Sequence, residues 1–152
     1  STVWLARTLP KDGYLLTIEG RDTHAALAQQ NIDHAKFEVP VELKVGRAAD
    51  ILREIDPTTF EPFDFIFIDA DKQSYPEYLE LTLNLSHSGT ILVLDNVIRA
   101  GDILDENNKK PSIEGIRQTF EALQNHPRIL SCTALQTVGS KGHDGLAIAI
   151  VK

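Results

Sequence analysis

Short apolar runs alternate along this chain with segments whose apolar residues recur at helical spacing. The apolar runs predict strands at residues 13–20, 41–47, 63–70 and 89–96, and the helical spacing predicts helices at residues 1–7, 22–37, 48–55, 75–86 and 112–126. Alternation of this kind is typical of a parallel sheet covered by crossover helices. The run FDFIFIDA at 63–70 is so apolar that we expect neither of its faces to contact water.

The C-terminal part has a different pattern. Two apolar runs, at residues 129–138 and 145–152, are separated by the short polar sequence GSKGHD, which predicts an antiparallel hairpin. The expected fold class is therefore α/β, a Rossmann-like and mostly parallel sheet with an antiparallel C-terminal hairpin. No repeat or linker divides the sequence, so residues 1–152 are predicted to form a single domain.

Composition limits the partners and the compartment. The 152 residues carry a formal net charge of −7, which argues against nucleic acid or an anionic membrane as a partner. Cys132 is the only cysteine, so no internal disulfide can form, and we expect it to be a small buried residue in a cytoplasmic protein. The sequence contains no methionine and begins with a helix-like pattern at Ser1, from which we expect that an N-terminal segment has been lost.

Oxygen donors follow two strands that we expect to be neighbours. One crossover helix separates residues 63–70 from 89–96, so their C-terminal ends can lie about 5 Å apart. This arrangement brings Asp69 close to Asp95 and Asn96. Such a donor set suits Mg²⁺, Ca²⁺ or Mn²⁺ better than zinc. The alternative is that Asp69 and Asp95 only cap the N-termini of the following helices.

Other polar residues also stand at predicted strand ends. Lys72 is either a solvated loop lysine or, beside a bound cation that disfavours its charged form, a general base. Glu19 could hold a ribose diol, as acidic residues do in nucleotide-binding sheets. Gly46, Arg47 and Ala48 either allow a flat group to approach the backbone or make a plain strand-to-helix turn. Two tyrosines, Tyr75 and Tyr78, are expected to pack their rings against the sheet.

Segments spread along the whole chain resemble those of one protein family. STVWLAR, LLTIEG, VELKVGRAADIL, FDFIFIDADKQSYPEYL, GTILVLDNVIRAGDILD and ALQTVGSKGHDGLAIAIV occur in the order found in cation-dependent O-methyltransferases of the catechol and caffeoyl-CoA type. That family transfers a methyl group from S-adenosylmethionine (SAM) to a hydroxyl of a small aromatic acceptor. The resemblance therefore implies SAM and a divalent cation as cofactors, and a homodimer.

The resemblance also assigns roles to individual residues. It implies that Asp69, Asp95 and Asn96 bind the metal and that Lys72 is the catalytic base. It implies cofactor contacts by a second set of residues: Glu19 at the ribose, Gly46, Arg47 and Ala48 at the adenine, and Asp69 and Asp71 toward the methionyl end.

The sequence departs from the family at its beginning. The family's first strand and its glycine-rich loop, of the form E-I-G-x-x-x-G, should precede Ser1 and are absent from this sequence. That strand is central in a doubly wound sheet. Three arrangements are open: the strand ending at Glu19 pairs with the one ending at Asp69, another copy fills the gap, or the chain is part of a larger molecule.

Three other functions compete with methyl transfer. The chain could be a non-catalytic remnant or interaction module that no longer binds the cofactor. It could be a nucleotide-dependent dehydrogenase, which shares an acidic residue at the position of Glu19. It could also be a phosphatase of the Asp-x-Asp type, although Gln73 stands where a threonine is common.

Overall fold

A computed structural model describes residues 1–140 and 142–152, and the chain divides into two compact units, Ser1–Ile55 and Asp56–Lys152. Each unit has its own sheet. Within the described ranges, no helix combines the length and the apolar character needed to cross a membrane. The single-domain organisation stays a prediction.

The first unit contains a parallel strand pair with helices. Its elements are α1 (Thr2–Thr8), β1 (Leu15–Glu19), α2 (Asp22–Ala35), β2 (Val41–Val45) and α3 (Ala48–Glu54). The register runs from Leu15 opposite Val41 to Glu19 opposite Val45. Ala25 and Ile32 are the buried residues of α2, and their spacing of seven positions puts them on one side of that helix.

The second unit contains a mixed sheet. Its elements are β3 (Phe63–Ile68), α4 (Tyr75–Asn84), β4 (Ser86–Asp95), α5 (Pro111–Asn125), β5 (Ile129–Gly139) and β6 (Gly142–Val151), with 3₁₀ segments at Lys72–Ser74 and Arg99–Leu104. The strand order is β3-β4-β6-β5. β3 and β4 are parallel, whereas β6 is antiparallel to both β4 and β5. The α/β class and the antiparallel C-terminal hairpin are thereby confirmed.

One face of this sheet forms the core of the second unit. Leu92 and Leu94 are fully buried, as are Leu79 of α4 and Ile116 of α5, so both helices cover this face. On the opposite face Phe65 is 43% exposed and its cross-strand partner Ile91 is 40% exposed. The expectation that residues 63–70 avoid water on both faces was wrong, because helices of this unit cover only one side.

Several local expectations also need correction. The helix predicted to begin at residue 112 begins at Pro111, and its N-cap is Lys110. Cys132 is exposed, since only Ile129 of edge strand β5 is buried. Among the described residues β1 pairs only with β2, and β3 only with β4, so the pairing of β1 with β3 is wrong. Lys141, in the predicted hairpin turn, lies outside the described residues.

Candidate active site

The ends of β3 and β4 bring two aspartates to one edge of the sheet. Ile68 is the register partner of Leu94, so Asp69 and Asp95 each follow the last paired residue of neighbouring parallel strands. Adjacent strands in a sheet lie about 5 Å apart. The prediction that these two strand ends lie side by side is therefore confirmed.

Lys72 points back to this edge from the 3₁₀ turn that follows β3. Its Nζ donates to Asp69 Oδ1 at 2.9 Å and to the Tyr75 hydroxyl at 2.7 Å. The side chain is only 10% exposed. Lys72 is thus a held, nearly buried cation, and the solvated-loop interpretation was wrong.

Tyr75 lies beneath Lys72 at the start of α4 and is fully buried. Its hydroxyl is 3.0 Å from the Ile68 carbonyl oxygen and 2.9 Å from the Asp95 carbonyl oxygen, so it donates to the ends of both strands. Burial, followed by the negative charges of Asp69 and Asp95, raises the pKa of Tyr75 well above its usual range. The hydroxyl therefore stays protonated and can continue to donate.

Asp95 and Asn96 form a tight corner at the end of β4. Asn96 has a positive φ of 56°, and its backbone N–H donates to Asp95 Oδ1 at 2.7 Å. Asparagine tolerates this left-handed conformation better than most residues. The 3₁₀ segments and α4 take their N-caps from Asp71, Ser74 and Ile98. The capping interpretation of Asp69 and Asp95 was therefore wrong.

The side chain of Asp71 is hydrogen-bonded to α4. Its Oδ1 accepts a hydrogen bond of 2.6 Å from the Tyr78 hydroxyl. Partial burial opposes ionisation of Asp71, but hydrogen bonds from Ser74 and Tyr78 outweigh it and lower the pKa of the carboxyl group. Asp71 thus remains an anion whose orientation is set by α4.

The loop that follows Asn96 is strained and is held by Asp144 of β6. Arg99 and Ala100 have φ values of 55° and 56°, which are unfavourable for residues with a Cβ. Asp144 Oδ1 accepts from the backbone N–H groups of Ile98 at 3.1 Å, Arg99 at 3.0 Å and Gly145 at 2.9 Å. Partial burial opposes ionisation of Asp144, but these bonds outweigh it and lower its pKa. Asp144 thereby fixes the loop beside the candidate site.

The polar residues predicted in the first unit stand where β1 and β2 end. Glu19 is the last residue of β1, and its Oε1 accepts from the Arg21 backbone N–H at 3.0 Å. Gly46 has φ of 147° and donates its N–H to the Glu19 carbonyl oxygen at 3.0 Å. Arg47 is the N-cap of α3, and Ala48 is its first residue. The positive φ explains why glycine occupies position 46.

The donor set at the ends of β3 and β4 is small. In residues 1–140 and 142–152, no three His, Cys, Asp or Glu side chains form a group that could hold a metal ion. The candidate set therefore comprises two carboxylates and the amide of Asn96. Lys72 pairs with Asp69, so the two carboxylates and one ammonium of this small region leave one formal negative charge uncompensated.

Sequence reasoning missed three contacts at this candidate site. It predicted ring burial for Tyr75 and Tyr78 but no role for their hydroxyls, and it did not consider Asp144. A signal was available for the tyrosines, because the hydroxyl of a buried tyrosine usually has a hydrogen-bond partner. For Asp144 the sequence offers no comparable signal, since its partners Ile98 and Arg99 are 46 and 45 positions away.

Comparisons with known proteins bear on the family to which the chain belongs. The sequence profile of the O-methyltransferase family matches residues 1–148. Catechol O-methyltransferase of Niastella koreensis is 49% identical over 152 residues, which span 100% of this chain and 68% of that protein.

Two solved structures are also similar. The O-methyltransferase from Bacillus cereus in complex with SAH has a TM-score of 0.94 at 48% identity, covering 99% of this chain and 68% of that one. The O-methyltransferase TomG from Streptomyces achromogenes, involved in tomaymycin synthesis and solved with SAM, has a TM-score of 0.93 at 40% identity, covering 99% of this chain and 67% of that one. The family match and these similarities favour methyl transfer over the dehydrogenase and phosphatase alternatives, and the chain belongs to the O-methyltransferase family.

Proposed function

We propose that this chain transfers a methyl group from SAM to a hydroxyl of a small catechol-like or phenylpropanoid-like acceptor, assisted by a divalent cation. The observation that carries the proposal is the nearly buried Lys72 ammonium, held by Asp69 and Tyr75 where β3 and β4 end. Family membership supplies the reaction class, and this arrangement supplies a group that can handle a proton.

The residues at this edge fit a hard divalent cation. Asp69 and Asp95 offer carboxylate oxygens, and Asn96 offers an amide oxygen, which are the ligand types that Mg²⁺, Ca²⁺ and Mn²⁺ prefer. In the described part of the chain, the Asn96 side chain and the second carboxylate oxygen of Asp95 accept no hydrogen bond, so both could serve as ligands. A cation held there would favour ionisation of a coordinated acceptor hydroxyl.

Lys72 is the group we assign to proton handling. As a neutral amine it would accept the proton of the acceptor hydroxyl, and as an ammonium it would stabilise the resulting oxyanion. Its bonds to Asp69 and Tyr75 fix the amine in one place, so the acceptor oxygen would meet it in a defined orientation. The sulfonium methyl of SAM is already reactive, so orientation, worth about 7–11 kcal/mol, is the main contribution required of the protein.

We assign SAM contacts to residues of the first unit and to residues of the second unit. In the first unit we assign Glu19 to the ribose diol, because a carboxylate that ends a parallel strand is suited to that contact. Gly46, Arg47 and Ala48 are assigned to the adenine on the strength of the family resemblance. In the second unit we assign Asp71 to the positively charged methionyl amine. Asp69 is also assigned toward the methionyl end. The lowered pKa of Asp71 keeps it an anion, which supports this role.

A net charge of −7 supports a small-molecule acceptor in place of nucleic acid or an anionic membrane. We also propose a cytoplasmic homodimer, as the family resemblance implies. Sedimentation equilibrium tests the dimer, and a monomer at micromolar concentration would contradict it.

Calorimetric titration and a methyl-transfer assay test the proposed function together. We expect heat on titration with SAM or S-adenosylhomocysteine, and formation of methylated catechol or caffeate in the presence of Mg²⁺. EDTA should abolish turnover, and added Mg²⁺ should restore it. No binding heat at millimolar SAM would favour the interaction-module alternative, and turnover unaffected by EDTA would contradict the cation.

Lys72→Met tests the assigned base. Loss of a positioned acid-base group typically slows catalysis about 10²- to 10⁴-fold, and we expect kcat to fall within that range while SAM affinity is retained. Lys11→Met is the matched control, because Lys11 is exposed in a turn of the first unit. Equal kcat values for the two variants would remove Lys72 from the mechanism.

A further inference from the structure

Tyr75 joins three parts of the candidate site through one oxygen atom. Its hydroxyl lies 2.7 Å from Lys72 Nζ, 3.0 Å from the Ile68 carbonyl oxygen and 2.9 Å from the Asp95 carbonyl oxygen. The first contact reaches the proposed base, and the other two reach the ends of β3 and β4. The residue is fully buried, so water cannot replace these contacts without a change in packing.

The chemistry of a phenol determines the direction of each bond. A hydroxyl carries one proton and two acceptor lone pairs, whereas a carbonyl oxygen can only accept. The proton of Tyr75 is therefore shared between the two carbonyl oxygens, and the hydroxyl oxygen accepts from the Lys72 ammonium. Lys72 then donates to Tyr75 and to Asp69, which leaves one of its ammonium protons for other partners.

We propose that Tyr75 is a positioning residue for methyl transfer, whose hydroxyl anchors the Lys72 amine to the strand ends that carry Asp69 and Asp95. This inference rests on the proposed function of Lys72. Tyr75 acts through Lys72. It does not contact the acceptor, because Tyr75 is fully buried beneath Lys72. The aromatic ring alone cannot anchor Lys72 in this way, because without the hydroxyl oxygen it offers the ammonium no hydrogen-bond acceptor.

Tyr75→Phe separates the hydroxyl from the ring. The Lys72 ammonium lies 4.8 Å from the ring centroid, so phenylalanine retains this contact and the core packing while removing the oxygen. We expect kcat to fall about 10- to 100-fold, the scale of a misplacement of about 1 Å. The acceptor KM and the SAM dissociation constant should stay within about twofold, because neither ligand touches Tyr75.

A double-mutant cycle distinguishes positioning from a general structural role. If Tyr75 acts through Lys72, adding Tyr75→Phe to Lys72→Met should slow the reaction no more than about twofold further. A purely structural effect would instead multiply the two losses. Thr82→Val is the matched control, because it removes another buried hydroxyl from α4, one that among the described residues bonds only to helix carbonyl oxygens. Its kcat should match that of the unaltered protein.

A nuclear magnetic resonance experiment tests the same inference without turnover. The Lys72 ammonium of the unaltered protein should give a slowly exchanging ¹H–¹⁵N signal, identified by its loss in Lys72→Met, and Tyr75→Phe should abolish that signal. Absence of the signal from the unaltered protein would overturn the inference whether or not the phenylalanine variant folds. Full kcat in Tyr75→Phe, or an undiminished signal, would also overturn it. A protein that shows this signal but transfers no methyl group would contradict only the proposed function.

Discussion

Gly115 of α5 allows the helix to approach the turn that carries Lys72. A Cβ placed at this position would lie 2.3 Å from the Lys72 carbonyl oxygen and 2.7 Å from the Gln73 Cα. Both are backbone atoms, which cannot move away by changing rotamer. Gly115→Ala would therefore force the helix and the turn apart until the 2.3 Å contact exceeds 3.0 Å.

Two opposing effects determine the expected magnitude. Alanine is more favourable than glycine in a helix interior by about 0.5–1 kcal/mol, which on its own would stabilise the variant. Overpacking of a filled interior typically costs about 1–3 kcal/mol. Because the clash involves backbone on the partner side, we expect the second effect to win, with a net loss of about 0.5–2 kcal/mol in the free energy of unfolding.

Urea denaturation and the methyl-transfer assay measure the two consequences. The variant should unfold at lower urea concentration, and kcat should fall about tenfold or more, because Lys72 moves with its backbone. Gly139→Ala is the matched control, since among the described atoms none lies within 4 Å of a Cβ at Gly139. A Gly115→Ala protein that is as stable and as active as the unaltered chain would refute the reasoning.

Two further predictions concern Asp95 and Asp144. Asp95→Ala should weaken Mn²⁺ binding at least about tenfold in a paramagnetic relaxation titration, because it removes a proposed carboxylate ligand, and unchanged affinity would argue against the cation site. Asp144→Ala should lower the free energy of unfolding by about 1–3 kcal/mol at neutral pH, because it leaves the N–H groups of Ile98 and Arg99 without their acceptor. The folded-state pKa of Asp144 is lowered, so its stabilisation is present above the unfolded pKa of about 3.9 and is lost as the pH falls through the folded value. The difference between variant and unaltered protein in urea denaturation should therefore shrink below about pH 4, and a difference that grows there would contradict this assignment.

Some parts of the site could be predicted because they depend on local order along the chain. Asp69 directly follows a strand, Asp95 ends the next one, and a single helix joins them, so parallel pairing alone brings the two residues to one edge. The same reasoning placed Glu19 at the end of β1. These predictions need only strand periodicity and the right-handed crossover between parallel strands.

The amino-acid sequence by itself determined the α/β class, the C-terminal hairpin and the edge of the sheet where the oxygen donors gather, since periodicity and turn chemistry are local properties. Only the tertiary structure decided that Lys72 is held by Tyr75, that Asp144 fixes the loop after Asn96, and that Phe65 remains exposed. A hydrogen-bond partner or a covering helix depends on which distant side chains packing brings together. No pattern read along one segment contains that information.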